Sequence, residues 1–281
     1  MTTASVFSSS LLDARVPKTI SLGPIAARVF CGDGIQPFLG PFVPTHKTES
    51  LQIGIDIHVK VSAAPWPAHH QTSRKGNLFV IQTPFYRGTY TPGDGIANME
   101  LAPPDKHLET HERRLYGALR MLLSLYLLEN GGAALHGCAL GAHGKAHAFL
   151  GKSGAGKTTL ARMSLDKILL GDDLVAILPD EEGLLWVYGT PFSGREGMKS
   201  SMTRLPLTTL SALFQGTETR IEKMDIPEAM KTVLAHLFIF DGSGQTRERA
   251  LAISQRMISL ATPLKTWIQL NSSPWELGAL Q

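Results

Sequence analysis

The chain is 281 residues long, with 43% hydrophobic, 18% charged and 7% aromatic residues. At about 150 residues per domain this is room for roughly two domains, and it excludes a chiefly disordered or fibrous protein. Lys and Arg exceed Asp and Glu by a formal net charge of +3, and there are only two cysteines, so neither a basic nucleic-acid-binding surface nor a disulfide scaffold is expected.

From about residue 21 to 101, short β-like segments, including 51–61 and 77–82, alternate with turns at Pro37, Gly40-Pro41, Pro65 and Pro92-Gly93. Gln52-Ile53-Gly54-Ile55-Asp56-Ile57-His58-Val59 alternates polar and apolar residues at period two, which predicts a strand with one buried face. A small antiparallel, β-rich lobe over residues 1–103 is expected, and Pro103-Pro104 closes it. Beyond it Leu115, Leu119, Leu122 and Tyr126 recur at three- or four-residue steps. They predict a helix with a wet N-terminal half and a buried C-terminal half, ended by Asn130-Gly131-Gly132. Its most apolar part, 121–128, is too short to span a bilayer, so no membrane partner is expected.

Residues 133–140 and 145–150 predict a hairpin around Gly141-Ala142-His143-Gly144. Residues 168–178 and 184–188 predict further strands, 227–240 and 246–261 helices, and 264–270 a late strand. His69-His70 reads as a polar loop, because no other Cys or His lies near enough in sequence to complete a metal site. Trp267 and Trp275 read as core or subunit-contact residues. The first ten residues lack a cationic region followed by a long apolar block, so a secretory signal is not expected and the cytoplasm is the default location.

Gly151-Lys152-Ser153-Gly154-Ala155-Gly156-Lys157-Thr158 matches the phosphate-binding P-loop pattern, and Thr159 extends it. Its glycines permit positive φ, so successive N–H groups can turn inward around a polyphosphate. Lys157 would neutralise the β- and γ-phosphates, and the Thr158 hydroxyl suits Mg²⁺, a hard cation that prefers oxygen. The pattern follows an apolar strand and opens a helix-compatible stretch, the setting such a loop requires. ATP and Mg²⁺ are the ligands it implies.

A site that transfers phosphate also needs a group to orient or deprotonate the acceptor hydroxyl. Asp172-Asp173, interrupting an apolar strand, can supply both a metal ligand and that group. Neighbours in a strand point to opposite faces, so a local twist or bulge must bring both carboxylates to one site. His136 interrupts a second apolar run, where by itself it fits a hydrogen-bonded core histidine as well as a catalytic one.

Three blocks, Leu135-His136-Gly137, residues 151–158 and Gly171-Asp172-Asp173-Leu174-Val175-Ala176-Ile177, resemble the HPr kinase/phosphorylase family and its divergent relatives. The likeness covers about residues 132–177, is weaker over 189–214 and is negligible before Pro103. It implies an α/β P-loop kinase domain over residues 104–281, with a mixed, phosphoenolpyruvate-carboxykinase-like sheet, beside the β-rich N-terminal lobe. It also implies that Asp173 takes the proton from an acceptor serine, that His136 assists, and that Asp172 and Thr158 handle the metal. Gly194-Arg195-Glu196-Gly197 is the nearest equivalent of a later family signature, with Arg195 as a phosphate clamp and Glu196 as a second acid. An oligomer of identical chains is implied as well. The expectation is a kinase acting on a serine-type hydroxyl of a small protein or peptide. A small-molecule kinase, a carboxykinase-type reaction and a non-catalytic nucleotide-sensing module remain alternatives.

Overall fold

The computed structural model describes residues 17–43, 52–104, 110–192, 194, 198–270 and 272–280. Among these, β-strands dominate and arrange in two sheets. The first contains β1 (Lys18–Ser21), β2 (Ala26–Cys31), β3 (Ile53–Val61), β4 (Gln71–Lys75), β5 (Leu78–Gln82), β6 (Tyr86–Thr91) and β7 (Ile96–Leu101), in the order β1-β2-β3-β7-β6-β5-β4. Ile55, Ile57 and Val59 of β3 are buried while the residues between them are partly exposed, as period-two alternation requires.

This sheet is mixed rather than antiparallel. β4 to β7 form an antiparallel meander, but β3 lies parallel to both β2 and β7. A parallel neighbour needs a long crossover instead of a tight turn. Part of the β2–β3 connection is a 3₁₀ helix, Gln36–Phe42, that buries Leu39 and Phe42.

Helix α1 (His111–Glu129) links the two sheets. Thr110 caps its start, accepting a hydrogen bond from the Arg113 amide, and Asn130 ends it. The apolar periodicity is realised: from Leu115 to Leu128 most side chains are buried, whereas Glu112 and Arg113 are exposed. The lobe also grips this helix through charge. Arg74 of β4 pairs with Glu129, both almost fully buried at 4% and 8% exposure, and Arg249 adds a third contact to the same carboxylate.

The second sheet starts with β8 (Ala133–Ala142) and β9 (Lys145–Leu150), joined by a two-residue turn in which His143 and Gly144 both have positive φ, 51° and 74°. That is the turn geometry whose twist matches a hairpin. Then come α2 (Lys157–Arg162), β10 (Ile168–Gly171), β11 (Leu174–Pro179), β12 (Leu185–Tyr188), β13 (Arg204–Gln215), β14 (Arg220–Lys223), α3 (Ile226–His236), α4 (Gly244–Leu260) and β15 (Thr262–Ile268). Asp225 and Ser243 cap α3 and α4 as Thr110 caps α1.

The expected α/β kinase fold with a mixed, carboxykinase-like sheet is not what this region forms. β8 pairs with β9 and β11, β11 with β12, β12 with β13, and β13 returns to β9, so five strands close into a small barrel. β10, β15 and β14 extend the sheet outside the ring. Closure follows from composition: β8 and the start of β9 are rich in Ala and Gly, which allow strands to curl tightly while bonding on both edges. The P-loop pattern specifies only a strand, a turn and a short helix; α2 has six residues, and most of the surrounding architecture is β.

β9 also contains a buried titratable group. His147 is 1% exposed, its Nδ1 lies 3.0 Å from Thr209 Oγ1, and its Nε2 has no hydrogen-bond partner among the described residues. Burial, then Lys145 and His143, push its pKa down from 6.5 to about 4. Between those values the unfolded chain binds a proton that the folded chain does not, so folding stability falls as pH drops from 6.5 towards 4. We expect His147→Gln to flatten Tm against pH across that window by the equivalent of about 1–3 kcal/mol; an unchanged slope would contradict the assignment. Both cysteines are buried, and neither is in a disulfide. Among the described residues no helix is long and apolar enough to cross a membrane.

Candidate functional site

The glycine-rich loop leaves β9 at Leu150 and enters α2 at Lys157. Gly154 and Gly156 have φ of 82° and 101°, the left-handed region that favours glycine. At Gly156 a Cβ would also come within 2.8 Å of Ile268 Cδ1. The loop is held in shape by the Ala155 amide donating to Lys152 O at 3.0 Å, and by Gln215 Nε2 donating to Gly154 O at 2.7 Å. Lys152, Ser153 and Gly154 are exposed, while Thr158 and Thr159 are partly buried on the first turn of α2.

Lys157 folds back over the loop. Its Nζ donates to Gly151 O at 2.6 Å and to Lys152 O at 3.2 Å, and the residue is 8% exposed. Burial lowers its pKa, opposed by the charge of Asp173. A desolvated ammonium solvated by two carbonyls is a cation suited to an anionic ligand.

The two aspartates come from a break in the β8 ladder. β10 and β11 run antiparallel along the same strand, pairing Leu169 with Leu140, Gly171 with Ala139, and then Leu174 with His136. One extra residue between Leu169 and Gly171 forms a bulge. At Gly171 a Cβ would strike the Leu174 carbonyl, so only glycine admits this tight bend. Asp172 and Asp173 occupy the gap, and both reach one cleft.

Asp172 is 4% exposed, and its Oδ1 accepts from the Gly194 amide at 2.8 Å. Asp173 Oδ1 lies 3.2 Å from His136 Nδ1, and its Oδ2 accepts from Arg120 Nη1 at 2.6 Å. Burial pushes the Asp173 carboxyl up, but the His136 hydrogen bond and the Arg120 charge outweigh it and hold the group below the usual carboxylate range. Asp173 is therefore an ionised acceptor at neutral pH.

These groups surround a cleft of about 530 Å³, within the range of small-molecule sites. His136, Ser153, Gly154, Gly156 and Lys157 line it, as do Thr158, Thr159, Asp172 and Asp173. Gly151, Lys152 and Ala155 belong to the loop but not to the cleft wall. Arg195 and Glu196 lie outside the described residues. Gly194, which opens the tetrad named from sequence, and Gln215 also line the cleft; no sequence pattern points to Gln215. Arg120 is the second residue such patterns pass over, although an arginine between the buried Leu119 and Met121 is itself a signal.

Thr158 and Asp172 offer a hydroxyl and a carboxylate, the hard oxygen donors that Mg²⁺ prefers. Among the described residues no three His, Cys, Asp or Glu side chains are placed so that together they could hold a metal ion. A divalent cation here would draw the rest of its coordination from phosphate and water. No protein-family model matches the chain, and no curated protein matches it at a significant level.

Proposed function

We propose that the protein is an ATP- and Mg²⁺-dependent phosphotransferase that moves the γ-phosphoryl group to a serine-type hydroxyl of a small protein or peptide. One observation carries this reading: the glycine-rich loop with Lys157 and the Asp173–His136 pair face the same cleft from separate strands. The resemblance of the three sequence blocks to HPr-kinase-like enzymes supports it.

In this reading the loop amides and Lys157 bind the triphosphate. Thr158 and Asp172 would hold a Mg²⁺ ion, which when bound would supply charge neutralisation at the phosphates. Asp173 receives the acceptor's proton while its oxygen bonds to the γ-phosphorus. The bond from that phosphorus to the β–γ bridging oxygen breaks, and ADP leaves with the electron pair. His136 holds Asp173 from the side of the approaching hydroxyl. Phosphoryl transfer asks mainly for positioning and charge neutralisation, which suits so compact a set of groups.

Incubation with γ-labelled ATP and size-separated cell extract tests the proposal. Label should enter a small protein or peptide fraction in an acid-stable form typical of phosphoserine. Label confined to small metabolites would move the acceptor to another class, and binding without any transfer would leave a nucleotide sensor.

A further inference from the structure

Arg120 sits on the inner part of α1, beside buried Leu119, Met121 and Leu122. Besides its bond to Asp173, its guanidinium carbon lies 4.3 Å from the centre of the Phe238 ring. Phe238 is fixed in turn: its amide donates to Ala134 O at 2.9 Å, and its ring stacks on Phe240 with centroids 6.2 Å apart. A guanidinium held between an aromatic face and a carboxylate has little freedom to turn.

Arg120 is not among the described residues that line the cleft. It meets Asp173 from outside the space a substrate would fill. The helix that carries it is secured at both ends to the first sheet and its exit: Arg114 Nη1 donates to Ala102 O at 2.7 Å, and Glu129 pairs with Arg74. The position of this charge is thus set by helix packing, not by a loop.

We propose that Arg120 is a positioning residue that orients the Asp173 carboxylate, leaving the His136 side of that carboxylate for the acceptor hydroxyl. The proposal rests on the phosphotransfer reading above and adds to it that α1, anchored on the N-terminal lobe, sets the direction in which Asp173 faces the cleft. Without Arg120, Asp173 Oδ2 loses a charge-assisted hydrogen bond and the carboxylate is free to turn.

The test uses the full chain with Arg120→Met and Arg120→Lys. In Arg120→Met turnover at pH 7 should fall by about 10- to 100-fold, with KM for ATP nearly unchanged, and Arg120→Lys should restore most of it. A crystal structure of Arg120→Met should show the Asp173 carboxylate turned away from His136. If Arg120→Met proves unstable, Arg120→Gln removes the charge while keeping a donor and gives the same comparison.

A folded, ATP-binding variant without this charge that turns over at the wild-type rate with Asp173 in its wild-type orientation overturns the role of Arg120. A wild type that transfers no phosphate, while Asp173 still turns away in the variant, overturns the phosphotransfer reading instead.

Discussion

Asp173→Asn is expected to reduce phosphotransfer by about 10²- to 10⁴-fold, the range over which a positioned general base contributes, while ATP affinity changes little. Asparagine keeps the volume and one acceptor oxygen, so His136 and the cleft keep their shape. It loses the charge that would draw a proton from the acceptor. The substitution also leaves Arg120 with a weaker partner. That pair is only partly buried, each side chain being 22% exposed, so after screening the loss of stability should be about 1–2 kcal/mol. Equilibrium titration with ATP, a transfer assay and thermal melting separate the three effects. Retained transfer at wild-type rate would remove Asp173 from the chemistry.

Lys157→Met is expected to weaken ATP binding by about 100- to 1,000-fold, the equivalent of losing one or two charge-assisted hydrogen bonds to phosphate. The free protein should lose little stability. Lys157 is a buried ammonium bonded only to the Gly151 and Lys152 carbonyls among the described residues, and its removal relieves a desolvation cost while leaving those carbonyls one donor short. Thermal melting reads both quantities. ATP at about 100 times its Kd should stabilise the wild type by about 2.7 kcal/mol and should barely move the variant. An equal ATP-dependent rise in Tm in both proteins would place the triphosphate elsewhere.

Both predictions depend on residues that sequence patterns single out, because the groups involved are local. The loop from Gly151 to Thr158 is encoded by glycines within eight positions, two of which take the left-handed conformations it needs. Asp172 and Asp173 stand beside Gly171, whose lack of a side chain allows the bend that displays them. Their environment is less legible. Arg120 lies 53 residues from its carboxylate, and Gln215 lies 61 residues from the Gly154 carbonyl it bonds. Nothing in the local spacing joins them.

The longest strand shows the same limit from another side. β13 runs for twelve residues, yet Leu207, Leu210 and Leu213 recur at steps of three and Pro206 stands near its start. That pattern resembles neither the alternation of a half-exposed strand nor an uninterrupted helix. In the barrel β13 bonds to β9 and β12 and also carries β15, so burial on both sides replaces the period-two signal.

Backbone conformation and short-range periodicity are properties of a few adjacent residues, and so the amino-acid sequence by itself determined the hairpin of β8 and β9, the C-terminal end and buried face of α1, the glycine-rich loop and the bend at Asp172-Asp173. Which strand edges meet is a choice among segments far apart in the chain. It depends on the total burial and hydrogen bonding of the finished sheet. Only the tertiary structure therefore decided that the second half closes into a five-stranded barrel instead of an open α/β sheet. The same packing decided that α1 delivers Arg120 to the back of the carboxylate that the cleft presents.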